Sequence, residues 1–225
     1  MIAKYYKAPS ILVLVIISFV ANQVLALKIK VFSLPEQVEQ AELIAIGTIS
    51  QQSGNFKFAV REVLKGDRSI QTFNVGVDWR RPEDKKLPLS QSCLVCVGPE
   101  VNGIRNLIGF GNQAVWPKTE NKWPFTPSHV SSLETVREVV RSLLVAESSN
   151  SMFARQQNVA KLIQSNEPLA QMAALELVEL KRSSELLDVF SKSRDQLTNS
   201  TNQDVSKKAV HIKEENKPPN TVPPS

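Results

Sequence analysis

The chain has 225 residues, 42% of them apolar, and its 27 Lys and Arg against 22 Asp and Glu give a formal net charge of +5. That balance is too even to argue for a nucleic-acid partner. The length allows one domain with an extension or two small domains.

The first 26 residues, MIAKYYKAPSILVLVIISFVANQVLA, have the pattern of a secretory signal. Lys4 and Lys7 make the N-terminal end positive, and Ile11 to Val20 is an apolar run broken only by Ser18. Val24 and Ala26 supply the small side chains a signal peptidase accepts, so cleavage is expected between Ala26 and Leu27. An uncleaved anchor is the alternative, but the run is shorter than the ~20 residues a spanning helix needs. The expected mature chain runs from Leu27 to Ser225, keeps a net charge of +3, and is periplasmic or secreted with no stable membrane span.

The expected elements then follow in chain order. Leu34 to Gln40 suits a short helix, with Pro35 at a position where its missing N–H costs nothing. LIAIGTIS, Leu43 to Ser50, reads as a strand, and Gly47 inside it predicts a bulge or bend. In FKFAVREV, Phe56, Phe58 and Val60 share one face while Lys57 and Arg61 share the other. KGD at Lys65 to Asp67 signals a turn, and TFNVGVDW alternates again through Phe73, Val75 and Val77. The loop WRRPEDKK, Trp79 to Lys86, places Trp79 beside Arg80 and Arg81, a combination able to anchor a partner, although a solvated hairpin loop explains it as well. CLVCV, NLIGF and QAVW complete a set of short strands, predicting an antiparallel barrel or sandwich over residues 27–128. GFGN, Gly109 to Asn112, lacks the lysine of a phosphate-binding loop and reads as a turn.

Residues 131–197 contain no glycine and read as helices. Ser131 with Glu134 fits a capping box. Leu133, Val136, Val139, Val140, Leu143 and Leu144 then recur at helical spacing. A second helix is expected around Val159 to Ile163. A third follows Pro168 with the stripe Leu169, Met172, Ala173, Leu177 and Leu180, and a last one capped by Ser184 carries Leu186, Leu187, Phe190 and Leu197. The plainer expectation is that these stripes pack on one another or on the barrel; with no further helices to cover it, an open flank with Met172, Leu177 and Phe190 as partner contacts is the sharper reading. Residues 198–225 are polar, end in KPPNTVPPS, and are expected to be a disordered tail.

Two resemblances extend this reading. LAQMAALELVEL resembles one unit of a HEAT-type helical repeat, within residues 153–190. AELIAIGTI, FKFAVREVLKGD and LSQSCLVCVG, over residues 41–98, resemble the order of elements in the tissue-inhibitor-of-metalloproteinases and netrin-type module. That resemblance implies an OB-like barrel, so the expected fold is α+β: an antiparallel OB-like barrel followed by a small helical segment over residues 129–197. Inhibitors of that family coordinate the protease zinc through a free N-terminal cysteine. A chain starting at Leu27 has none, so the resemblance implies the barrel more than the inhibition.

The only cysteines, Cys93 and Cys96, lie in SCLVCVG. Three readings stand: strand residues with no bridge, a distorted or intermolecular disulfide, and a redox or metal pair. Strand geometry favours the first, since it puts the two Cα atoms ~10 Å apart, beyond the ~7 Å a bridge tolerates. Ser128 and His129 would have to serve any catalytic triad, in a stretch that reads better as the start of a helix. Glu36, Glu39 and Glu42 are close in sequence, as a solvated face also requires. The sequence thus points to an exported, non-enzymatic protein without a cofactor. Its expected partner is another protein or an envelope component, bound through the helical segment or the barrel rim. An exported hydrolase with an unrecognised site and a protease-inhibitor-like module are the alternatives.

Overall fold

Ser33 opens the first helix: its side chain accepts from the Glu36 N–H while the Glu36 carboxylate accepts from the Ser33 N–H at 2.9 Å, a complete capping box. This helix, α1 (Leu34–Gln40), belongs to a computed structural model that describes residues 31–77, 87–109, 113–116 and 131–216. The Ala26–Leu27 junction, Trp79, Arg80, Arg81 and His129 lie outside the described residues.

Six strands follow among the described residues: β1 (Leu43–Gln52), β2 (Asn55–Lys65), β3 (Thr72–Gly76), β4 (Ser92–Val101), β5 (Ile104–Leu107) and β6 (Val115–Trp116). The β1–β2 turn uses Ser53 and Gly54, and the β4–β5 turn uses Asn102 and Gly103. All four have positive φ, the conformation that lets a two-residue hairpin follow the strand twist. Gly47 does mark an irregularity, since the β1–β2 register shifts between Ile46 and Gly47 and again between Ile44 and Ala45.

The strand order is β1-β2-β3-β5-β4-β6, and β1 bonds β4 as well as β2. The expected antiparallel OB-like barrel is corrected in its strand directions: the six described strands form a mixed sheet, because β3 and β5 run parallel, and its pairings run β1-β2-β3-β5-β4 and back to β1. The physical reason lies in where β4 inserts. It pairs with β1 (Leu43 opposite Val97, Thr48 opposite Ser92), not with its predecessor β3. Its hairpin partner β5 then meets β3 running in the same direction, with Asn74 opposite Ile104. β6 adds a short antiparallel pairing to β4, Leu94 opposite Trp116.

The helical part is also larger than expected. It comprises α2 (Leu133–Ser148), α3 (Met152–Ile163), α4 (Pro168–Lys181), α5 (Ser184–Thr198) and α6 (Gln203–Glu215). Helix α6 lies where a disordered tail is predicted. Its Asn202 side chain caps the Asp204 and Val205 N–H groups, and Val205, Ala209 and Ile212 form a buried stripe. That stripe packs on α4 and α5. The polar composition of the segment hides three apolar residues spaced for one helix face.

Helix α4 is central. It contacts α1, α2, α3, α5 and α6, and Leu169, Ala170, Ala173, Ala174, Leu175, Leu177 and Val178 are all buried. The flank that the sharper sequence reading left open is covered by α6 and α1. Helix α1 also touches β4 and α2, so sheet and helices share one core. Gln37, fully buried on α1, accepts a 3.0 Å hydrogen bond from Trp116 Nε1 and donates one of 2.8 Å to the Phe32 carbonyl. No helix among the described residues is long and apolar enough to cross a membrane.

Candidate functional site

Cys93 and Cys96 stand on β4 opposite Gly47 and Ile44, fully buried, and no disulfide joins them. Three residues apart on a strand, their side chains leave opposite faces of the sheet. Burial pushes the Cys93 thiol up to about 12, which removes the thiolate a nucleophile or redox pair requires. A thiol reagent should therefore leave the native protein unmodified over minutes and label two thiols once it is unfolded in denaturant without reductant. Labelling of the native fold at the rate of a free thiol, or a linked Cys93–Cys96 peptide, would overturn this arrangement.

The acidic trio of the N-terminal segment is not brought together. Glu36 caps its own helix, Glu39 pairs with Lys181 at 2.5 Å, and Glu42 pairs with Arg105 at 3.0 Å. Lys65, beside Glu39, donates to the Val38 and Glu39 carbonyls at 2.7 and 3.1 Å and closes the C-terminal end of α1.

Two other places gather charged side chains from distant segments. The first lies between β2 and α2. Arg137 and Arg141, one turn apart on α2, both bond Glu62 of β2, at 3.0 and 2.9 Å. Glu134 and Glu138 hold the same guanidinium groups from the side. An open cleft of about 380 Å³ adjoins them, lined by Glu62, Val63, Leu64, Arg68 and Arg141. Its lining offers no hydroxyl, thiol or imidazole, and its ion pairs dock α2 onto the sheet.

The second lies between α4 and α6. Glu179 of α4 faces His211 and Glu215 of α6, with His211 Nε2 at 3.5 Å from an oxygen of each carboxylate. Lys208 bonds the other oxygen of Glu179, and Arg182 bonds the other oxygen of Glu215 at 2.8 Å. The i, i+4 spacing of His211 and Glu215 was the one signal in the sequence. It carries weight only once α6 is known to be a helix, and Glu179 is contributed from a separate helix.

Of the expected partner contacts, Leu177 and Phe190 lie in the core and Met172 is half-buried against it, so a partner would meet neither Leu177 nor Phe190. The exposed apolar side chains lie elsewhere. Phe153 is 71% exposed and Met152 59% exposed at the start of α3, and Val145 near the end of α2 is 45% exposed. Sequence periodicity selects the buried stripe and passes over residues that lie off it.

No protein-family model, no curated protein and no solved structure matches this chain. That finding overturns both resemblances, to the metalloproteinase-inhibitor and netrin-type module over residues 41–98 and to a HEAT-type repeat over residues 153–190.

Proposed function

We propose that the protein is exported, with its first 26 residues removed, and acts without catalysis by binding another protein or an envelope component at the corner between α2 and α3. The observation that carries this reading is Phe153, a large aromatic side chain 71% exposed beside Met152, where most of the described apolar residues are buried. Aromatic residues and methionine are enriched in protein interfaces, where burying such a side chain supplies much of the binding energy. Lys4, Lys7 and the apolar run before Ala26 support the export.

The test places a photoreactive aromatic residue at position 153 in the intact chain in its own cells, with Lys192, exposed on α5, as the control position. The expected result is one discrete cross-linked partner at position 153 and none at 192. The same partner should be lost on Phe153→Asp, with the circular dichroism unchanged. Equal cross-linking at both positions, or full retention of the partner by Phe153→Asp, overturns the binding corner. An intact mass that includes residues 1–26 overturns the export.

A further inference from the structure

We propose that Glu179, His211 and Glu215 form a binding site for a divalent transition-metal ion, with Zn²⁺ as its preferred occupant, that clips α6 onto α4. Three features of the cluster carry this. One imidazole and two carboxylates, from two helices, present ligand atoms that all lie within 4.8 Å of one another. His211 Nε2 lies 3.5 Å from Oε1 of Glu179 and 3.5 Å from Oε1 of Glu215. Zinc bonds of ~2.0–2.1 Å to nitrogen and ~2.0–2.2 Å to oxygen, at a tetrahedral angle, require an N···O separation of ~3.4 Å. The observed 3.5 Å spacing is close to that edge, and it exceeds the ~3.2 Å of an ordinary N–H···O hydrogen bond.

The third feature is the outer partners. Lys208 takes Oε2 of Glu179 and Arg182 takes Oε2 of Glu215. Each carboxylate is thus held from behind by a cation, and its Oε1 is turned toward the imidazole. Outer hydrogen bonds of this kind orient metal ligands. The two cations also offset part of the negative charge of the carboxylates, for every divalent ion alike, so any selectivity rests on the nitrogen ligand. The imidazole supplies a nitrogen that suits zinc, nickel and copper better than Ca²⁺ or Mg²⁺. Water completes the coordination, because side-chain exposure of 53% at His211 and 36% at Glu215 leaves the outer side open.

The experiment is calorimetric titration of ZnCl₂ into the full-length mature chain, beside thermal unfolding with and without the metal. One zinc per chain is expected, with a rise in the unfolding midpoint, because an ion bound only by the native state stabilises it. His211→Ala and Glu215→Gln should each abolish both effects and leave the metal-free midpoint close to that of the parent. Co²⁺ in place of zinc should give the visible absorption of a tetrahedral ion in the parent alone. The absence of zinc binding overturns the proposal. So does binding that survives His211→Ala, which would place the ion elsewhere, and so does Ca²⁺ binding as tightly as zinc, which would mark a plain carboxylate surface.

Discussion

Replacing Gly47 by alanine is expected to lower the unfolding free energy by about 3 kcal/mol, the upper part of the range for overpacking a tight core. Gly47 sits inside β1 between two partners, opposite Val60 on β2 and Cys93 on β4. A Cβ added there would stand 2.0 Å from the Ala59 carbonyl oxygen and 2.8 Å from Phe58 Cε1. The Ala59 oxygen belongs to the β2 backbone and has no rotamer to escape into. Relief would require β1 and β2 to part where their register already shifts. Phe58 is fully buried and packs on Phe73 with ring centroids 5.1 Å apart, so the ring has nowhere to swing. Gly54→Ala is the control. At the exposed β1–β2 turn an added Cβ meets nothing within 4 Å, and only the positive φ of 84° is penalised, by about 1 kcal/mol. Urea unfolding should show the midpoint of Gly47→Ala well below that of Gly54→Ala at similar slopes. Equal midpoints would show that the β1–β2 contact yields cheaply and that Gly47 is not a steric requirement.

Glu176→Gln is expected to stabilise the protein at pH 8 and to remove much of its pH dependence between pH 5 and 8. Burial on α4 pushes the Glu176 carboxyl up to about 7; Lys208 and the Leu34 N–H pull it down, while Glu179 and Glu36 push it further up. The folded chain thus holds this proton more tightly than the unfolded chain, whose glutamate titrates near 4.5. A carboxyl raised on folding contributes its full stability below the unfolded value and loses it as the pH rises through the folded one. For a rise from 4.5 to about 7 the loss is about 3 kcal/mol by pH 8. Glutamine keeps an acceptor for the Leu34 N–H and removes the charge. Glu147, also raised by burial, works in the same direction and leaves a residual slope in the variant. Thermal unfolding in metal-free buffer checks this: the parent midpoint should fall from pH 5 to pH 8, and the variant should change less and exceed it at pH 8. A parent midpoint that rises over this interval would show that the carboxyl is ionised without penalty.

The local parts of the fold were legible because their signals are local. Phe58 and Phe73 are buried as alternation requires, Pro35 opens α1, and Gly47 disturbs the β1 register. Errors of one residue arose where serines stand in tandem. Ser132, not Ser131, caps α2, because Glu134 bonds Arg137 and does not turn back to the cap. Ser183, not Ser184, precedes α5. What was not legible depends on distant pairing. The parallel β3–β5 pair follows from the insertion of β4 beside β1, which no single strand encodes. Helix α6 was concealed because Val205, Ala209 and Ile212 are too few to lift the mean hydropathy of a lysine-rich segment. The same difficulty hid the candidate sites. Glu62 meets Arg137 across 75 residues of chain, and Glu179 meets Lys208 across 29. Neither partner is remarkable within its own stretch.

The position of α1 has a consequence for the order in which the molecule assembles during synthesis. Its seven residues precede every described strand and every other described helix, so they leave the ribosome ahead of those elements. A helix that short has no stability of its own in water. Yet its neighbours are β4, α2 and α4, and Lys181, which holds Glu39 at its C-terminal end, is the last residue of α4. This segment must therefore wait, unstructured and with Leu34 and Val38 uncovered, until nearly 150 further residues have emerged. For that interval the nascent chain exposes the seam between its sheet and its helices, and a chaperone that shields apolar segments has its longest-lived target at this end of the sequence.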